Sequence, residues 1–199
     1  MTSQTQLRQH CRQRRNALTL EQQQAHAQSA THLLLRSPLL MRSKKVALFL
    51  SMDGELNTMP LIKELWQRKI KLYLPLLTRF KRRPMLFAPF TPKTKLLQNS
   101  FGIWEPQVPK LQLVSGRHLN SVITPLACFD AFGNRIGMGG GFYDKTFQFK
   151  RLRNTSTPKL IGWAHQCQEV DGVQTQSWDI ALDALVTETA CTLFNNTNS

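Results

Sequence analysis

The sequence predicts an α/β chain, a three-layer sandwich of helices around a mostly parallel central sheet. Three observations predict it. Short apolar runs alternate with longer segments whose apolar residues recur at helical spacing. Two of the runs, Val46–Leu50 and Ser121–Phe129, are nearly unbroken, as expected of strands covered on both faces. The motif-rich segments fall in the connections that follow strands, where such sheets bind ligands. With 199 residues, the chain suits one domain over 1–199.

Residues Gln6–Asn16 and Leu20–Arg36 read as helices. Thr19 is a good N-cap for the second, which carries Ala27, Ala30, Leu33 and Leu34 on one face. Val46–Leu50 is the first strand. Leu61, Ile62, Leu65 and Trp66 form a helical stripe opposite Lys63, Glu64, Gln67 and Arg68. Ile70–Leu74 alternates as a strand and is expected to stop at Pro75. Leu77–Pro92, with a basic turn and the run Met85–Ala88, reads as a hairpin or edge excursion. Ser121–Phe129 is a strand, Phe142–Arg151 a helix, Lys159–Ala164 a strand and Ala184–Thr187 a last short strand. Residues from about 194 to 199 read as a frayed tail. The alternation as a whole describes a Rossmann-like, mostly parallel sheet.

Composition excludes several classes. No apolar run approaches the roughly 18 residues of a membrane span. The N-terminus lacks the apolar core of a secretory signal, so a cytoplasmic location and no membrane partner are expected. The four cysteines are scattered without a Cys-x-x-Cys pair, and the five histidines lack metal-ligand spacing, so zinc is not expected. The formal net charge of +14 invites a polyanionic partner. Nucleic acid is disfavoured, because the basic clusters are not interleaved with aromatics. A monomer is the default.

The segment from Thr124 to Asp144 carries most of the chemistry. An apolar run leads to Asp130. Gly133, Gly137, Gly139, Gly140 and Gly141 then fall within nine residues, with Arg135 among them and Phe142-Tyr143-Asp144 at the exit. Glycines let another molecule approach the backbone amides. A helix starting near Phe142 would turn its free N–H groups and positive dipole end toward the same space, which suits phosphate. Arg135 adds fixed positive charge and Asp144 a candidate metal ligand. The loop is not a Walker A motif, since Phe142 and Tyr143 stand where Lys and Ser/Thr are required. Nor is it a dinucleotide fingerprint, since Phe142 replaces the last glycine.

Phe49-Leu-Ser-Met-Asp-Gly-Glu-Leu-Asn-Thr58, Phe101-Gly-Ile-Trp-Glu-Pro106 and Trp178-Asp-Ile-Ala-Leu-Asp183 are expected to gather near this loop. With Leu7-Arg8 through Arg14 and Asn16-Ala-Leu-Thr19, they make the chain resemble the 5-formyltetrahydrofolate cyclo-ligase family nearly end to end. The resemblance implies an ATP- and Mg²⁺-dependent enzyme that closes 5-formyltetrahydrofolate to 5,10-methenyltetrahydrofolate, releasing ADP and phosphate. It implies ATP contacts from Arg8, Arg14, Arg135, Ile136, Gly137, Met138, Gly139, Gly140, Gly141, Phe142 and Tyr143, with Arg135 the catalytic cation. It implies Mg²⁺ at Asp144 and Asp183, and a pterin-binding carboxylate at Glu55. Leu50 and Met52 would line the folate pocket, with Trp104, Phe142 and Tyr143 as stacking candidates. Basic residues near the cleft would hold the substrate's glutamate tail.

Two departures concern phosphate charge. Met138 and Gly140 stand where some members carry Arg and Lys, and Gln4 stands where some carry Lys. The competing readings are a basic, non-catalytic nucleic-acid-binding protein and an ATP-independent sugar-phosphate isomerase or acyl-CoA transferase. The arrangement from Arg135 to Asp144 argues against both.

Overall fold

A computed structural model describes residues 3–77, 84–99, 102–153 and 155–194. Two helices open the chain, α1 (Gln4–Asn16) and α2 (Leu20–Arg36). Each begins with a capping box. Ser3 and Thr19 accept the N–H of Gln6 and Gln22, whose amide side chains accept the cap N–H in return. Then come β1 (Lys45–Ala47), α3 (Met59–Gln67) and β2 (Lys71–Leu76). They are followed by β3 (Leu86–Phe90), β4 (Leu96–Gln98), β5 (Trp104–Pro106) and β6 (Val114–Ser115). The rest of the chain forms β7 (Ser121–Thr124), β8 (Cys128–Phe129), β9 (Arg135–Ile136), α4 (Phe142–Arg153), β10 (Lys159–Trp163), β11 (Ala184–Val186) and β12 (Cys191–Leu193).

Eight strands form the main sheet in the order β12-β11-β10-β7-β1-β2-β3-β6. The middle five, β11 to β2, are parallel, and the edges are antiparallel. Side chains alternate between two cores. Val46, Leu72, Leu74, Ile123 and Ile161 meet Ala27, Ala30 and Leu34 of α2 and Leu61, Ile62 and Leu65 of α3. Ala47, Tyr73, Phe87, Val122 and Leu160 face the other way, toward Phe147 and Phe149 of α4. The expected three-layer α/β sandwich is therefore formed.

Prolines account for two differences from the expected elements. β2 runs through Pro75, which stands opposite Phe87 of β3. The β1 pairing ends at Tyr73, so Pro75 has a strand partner on one side only and its missing N–H is tolerated. The run Ser121–Phe129 is not one strand. It breaks after Thr124, where Pro125 cannot donate, and resumes as β8 in a separate hairpin with β9. Trp104–Pro106, expected in a loop, is β5, paired with β4. β12 was not expected, and its final N–H partner is Phe194, bonded to the Asp183 carbonyl. Phe194 is thus packed rather than frayed, while the rest of the expected tail and the basic turn at 78–83 lie outside the described residues.

β1 has β2 on one side and β7 on the other. This is where the order of connection reverses, the position at which such sheets bind ligands beyond the carboxyl ends of their strands. The loops after β1 and after β7 both leave from those ends.

Candidate active site

The first wall is the glycine loop. β8 and β9 form a hairpin whose turn is fixed by buried Asp130, which accepts the N–H groups of Phe132, Asn134 and Val173, each at 3.0 Å. The five glycines then divide by surroundings. A Cβ at Gly133 would meet the Phe194 ring at 2.7 Å, and one at Gly140 the Phe142 ring at 2.6 Å, so these two serve internal packing. A Cβ at Gly137 or Gly139 would meet nothing within 4 Å. Gly139 and Gly141 have φ of 94° and 61°, conformations that turn the chain sharply into α4. Open space thus lies over Gly137 and Gly139, in the loop that leads into α4.

Arg135 lies under this loop, with only 5% of its side chain exposed. Its Nη2 donates to Asp144 Oδ1 at 2.7 Å, and its Nη1 donates to the Ile180 carbonyl. Asp144 Oδ1 also accepts the Ile180 N–H at 3.2 Å. The segment Trp178–Asp183 therefore reaches the loop as expected, though through the backbone of Ile180, which no sequence signal marked. Ile136 is a core side chain, 2% exposed among Cys11, Ala127 and Cys128, so a ligand could meet only its main chain. Met138 is exposed.

The second wall is the loop after β1. Glu55 Oε2 accepts the Met52 N–H at 3.1 Å. Burial pushes the Glu55 carboxyl up to about 7, against that hydrogen bond and the Arg15 charge, which pull it down. Leu50 packs on the core, while Met52 is 46% exposed. Tyr143, in the first turn of α4, stacks on Phe147. Its phenol is pushed up by burial and by the Glu55 charge, and Arg135 pulls it down. One phenol thus lies within electrostatic reach of both loops. Phe142 is half-buried and covers Gly140. Trp104 is 49% exposed on the β4–β5 hairpin, and its neighbour Glu105 accepts the Leu77 N–H at 2.9 Å, just past the carboxyl end of β2.

Helix α1 bolts the two walls together. Arg8 Nε donates to the Gly137 carbonyl at 2.8 Å, and its Nη2 to Gln4 Oε1 at 3.2 Å, so the departure at Gln4 steadies Arg8. Arg14 donates to the Glu169 carbonyl, and its Nε is buried without a hydrogen-bond partner. Arg15 and Arg12 were missed as site-building residues. Arg15 is 1% exposed and donates to both the carbonyl and the carboxylate of Asp53, each at 2.9 Å. Arg12 meets the same carboxylate at 2.7 Å. Burial would raise the Asp53 carboxyl, but the two arginines outweigh it and hold it below its usual value. An arginine on a polar helix looks like a solvated charge in sequence, so only its burial identifies it.

The carboxylates differ in their fitness for a metal. Asp144 places both its contacts on Oδ1, and its side chain is 24% exposed. Asp183 is engaged differently. Its Oδ2 accepts the Leu160 N–H at 2.6 Å and the buried Lys150 ammonium at 3.1 Å. A positive charge already sits beside that carboxylate, which clasps α4 to β10.

With this geometry in hand, comparison with known proteins is decisive. The sequence profile of the 5-formyltetrahydrofolate cyclo-ligase family matches residues 1–188. The chain belongs to this family. It is 43% identical over 176 residues to the 5-formyltetrahydrofolate cyclo-ligase of Escherichia coli (strain K12), covering 88% of this chain and 95% of that relative. It is 41% identical over 182 residues to the enzyme of that name from Haemophilus influenzae, covering 91% and 96%. The 5,10-methenyltetrahydrofolate synthetase of Aquifex aeolicus superposes with a TM-score of 0.78 at 27% identity, over 98% of this chain and 95% of that one. These cyclo-ligase relatives rule in favour of enzyme chemistry over a nucleic-acid-binding scaffold.

Proposed function

We infer that the chain closes 5-formyltetrahydrofolate to 5,10-methenyltetrahydrofolate at the expense of ATP. The observation that carries this is the open backbone at Gly137 and Gly139, with Arg8 held on the Gly137 carbonyl and Tyr143 within reach of the charges of both Arg135 and Glu55. The ATP polyphosphate lies along Gly137–Gly141, on the amides and the positive end of α4, with Arg8 and Arg135 supplying charge. The pteridine lies on the Glu55 side, where a carboxylate accepts two N–H donors from the ring. Leu50 and Met52 are beside Glu55, and Tyr143 offers an aromatic face. Basic residues near the cleft hold the substrate's glutamate tail.

The chemistry requires activation of a poor electrophile. The formyl oxygen attacks the γ-phosphorus, and the bond to ADP breaks. The resulting imidate-like phosphate has a carbon that N10 attacks. N10 loses its proton, the carbon–oxygen bond breaks, and inorganic phosphate leaves. Such transfer depends on positioning and neutralisation of charge rather than on a protein nucleophile. Arg135 is held under the loop by Asp144 and the Ile180 carbonyl, so little reorganisation is needed as charge develops.

ATP enters as its magnesium complex. Asp144 would hold the ion through its second oxygen. The bound ion would neutralise charge on the transferring phosphoryl group. Asp183 takes no part. A single domain over 1–199, a monomer and a cytoplasmic location complete the proposal. Among the described residues no helix is long and apolar enough to cross a membrane.

One assay tests the activity. Purified chain mixed with 5-formyltetrahydrofolate, ATP and Mg²⁺ should generate the methenyl chromophore with one ADP formed per ring closed. Folded protein that forms neither product would defeat the reading.

A further inference from the structure

A second group of polar side chains lies away from the glycine loop. His26 projects from α2, His165 follows β10, and Glu188 sits in the turn between β11 and β12. One ligand atom from each lies within 4.8 Å of the others. We propose that His26, His165 and Glu188 form a binding site for a divalent late-transition-metal ion of the zinc class. The reading is independent of the folate reaction.

Distances support it. The Nδ1 atoms of His26 and His165 are 3.0 Å apart, and His26 Nδ1 is 3.5 Å from Glu188 Oε1. A tetrahedral ion with bonds of about 2.0–2.1 Å separates neighbouring ligand atoms by about 3.3–3.4 Å. The two observed edges bracket that value. Glu188 is aimed by its other oxygen, Oε2, which accepts the Gln166 N–H at 2.9 Å and leaves Oε1 toward His26.

Protonation states agree with the geometry. A metal needs both Nδ1 lone pairs, so each ring must carry its proton on Nε2. The Nδ1–Nδ1 contact needs a proton on one ring, so metal binding moves that proton to Nε2 and replaces the hydrogen bond with metal bonds; His165 is fully buried and its Nε2 has no competing partner. Two imidazoles and one carboxylate suit zinc, cobalt or nickel and not Mg²⁺, which prefers oxygen. The His26 and Glu188 side chains are 22% and 13% exposed, so the ion enters from their side and keeps a water as its fourth ligand.

The bound ion would tie α2 to the ends of β10 and β11. His165 also lies against the Gly54 backbone, so the site borders the loop that carries Glu55.

Cobalt(II) titration of the metal-stripped full chain tests the proposal. One equivalent should produce the visible bands of tetrahedral cobalt, displaced by Zn²⁺ and untouched by millimolar Mg²⁺. His26→Ala and Glu188→Gln should each weaken binding at least about tenfold, a loss of about 1.4 kcal/mol. Zinc at a hundredfold excess over its Kd should raise Tm by about 5–10 °C, a rise absent in His26→Ala. No tetrahedral bands, or bands unchanged by both substitutions, would overturn the site. Neither readout uses turnover, so its failure leaves the cyclo-ligase reading standing, and the reverse also holds.

Discussion

Within the glycine loop, Gly137 combines open space with an ordinary backbone conformation. A methyl group there meets nothing within 4 Å, and its φ is not in the left-handed region. Gly137→Ala should therefore leave Tm within about 2 °C of the parent, as for a surface substitution. If phosphate lies over this backbone, the same methyl group should raise the KM for ATP at least about tenfold. An unchanged KM would move the nucleotide elsewhere. Glu55 offers a second residue-scale test. Its carboxyl is raised to about 7, so its contribution to stability is present at low pH and is lost as pH rises through 7. Pterin N–H donors need the ionised form. Folate affinity should rise with pH across that same window, with net proton release on binding at pH 6 by calorimetry. Glu55→Gln should abolish the pH dependence and weaken folate binding more than ATP binding; equal losses would count against the pterin role.

At the scale of elements, α1 does the joining. Arg8 holds the Gly137 carbonyl, while Arg12 and Arg15 hold Asp53 in the Glu55 loop. Asp53 has φ of 52°, a strained conformation for a residue with a side chain, and the two arginines keep it in place. Arg15→Ala removes two hydrogen bonds and opens a buried volume. Asp53 stays partly solvated and keeps Arg12, so the loss should be about 2–3 kcal/mol, or about 5–10 °C in Tm. The KM for folate should rise more than that for ATP, because the loosened loop is the one bearing Glu55. A thermal loss with both KM values unchanged would confine Arg15 to stability.

At the scale of the whole molecule, the net charge of +14 finds internal uses. Arg8, Arg14, Arg15, Arg135 and Lys150 each hold a backbone carbonyl, a carboxylate or both, and so fasten loops to the sheet. Lys150 and Asp183 form one such fastening between α4 and β10. Asp183→Asn keeps the shape and weakens the clasp. It should lower Tm by several degrees, about 1–3 kcal/mol, while the Mg²⁺ concentration giving half-maximal turnover stays the same. A rise in that concentration would restore Asp183 as a metal ligand.

Much of this was present in the chain as written. Apolar runs of strand length alternate with helical stripes because burial on both faces of a sheet demands it, and that period is local. Gly137, Gly139 and Arg135 were legible for a similar reason, since backbone exposure and fixed charge are properties of residue type. Sequence order did not decide which glycine faces a ligand and which lies under an aromatic ring. Phe194 closes Gly133 from sixty-one residues away. Nor did it tell that Asp144 pairs with Arg135 and Asp183 with Lys150, or separate a buried Arg15 from a solvated one. Those distinctions depend on which distant groups share a small volume, and folding alone brings them together.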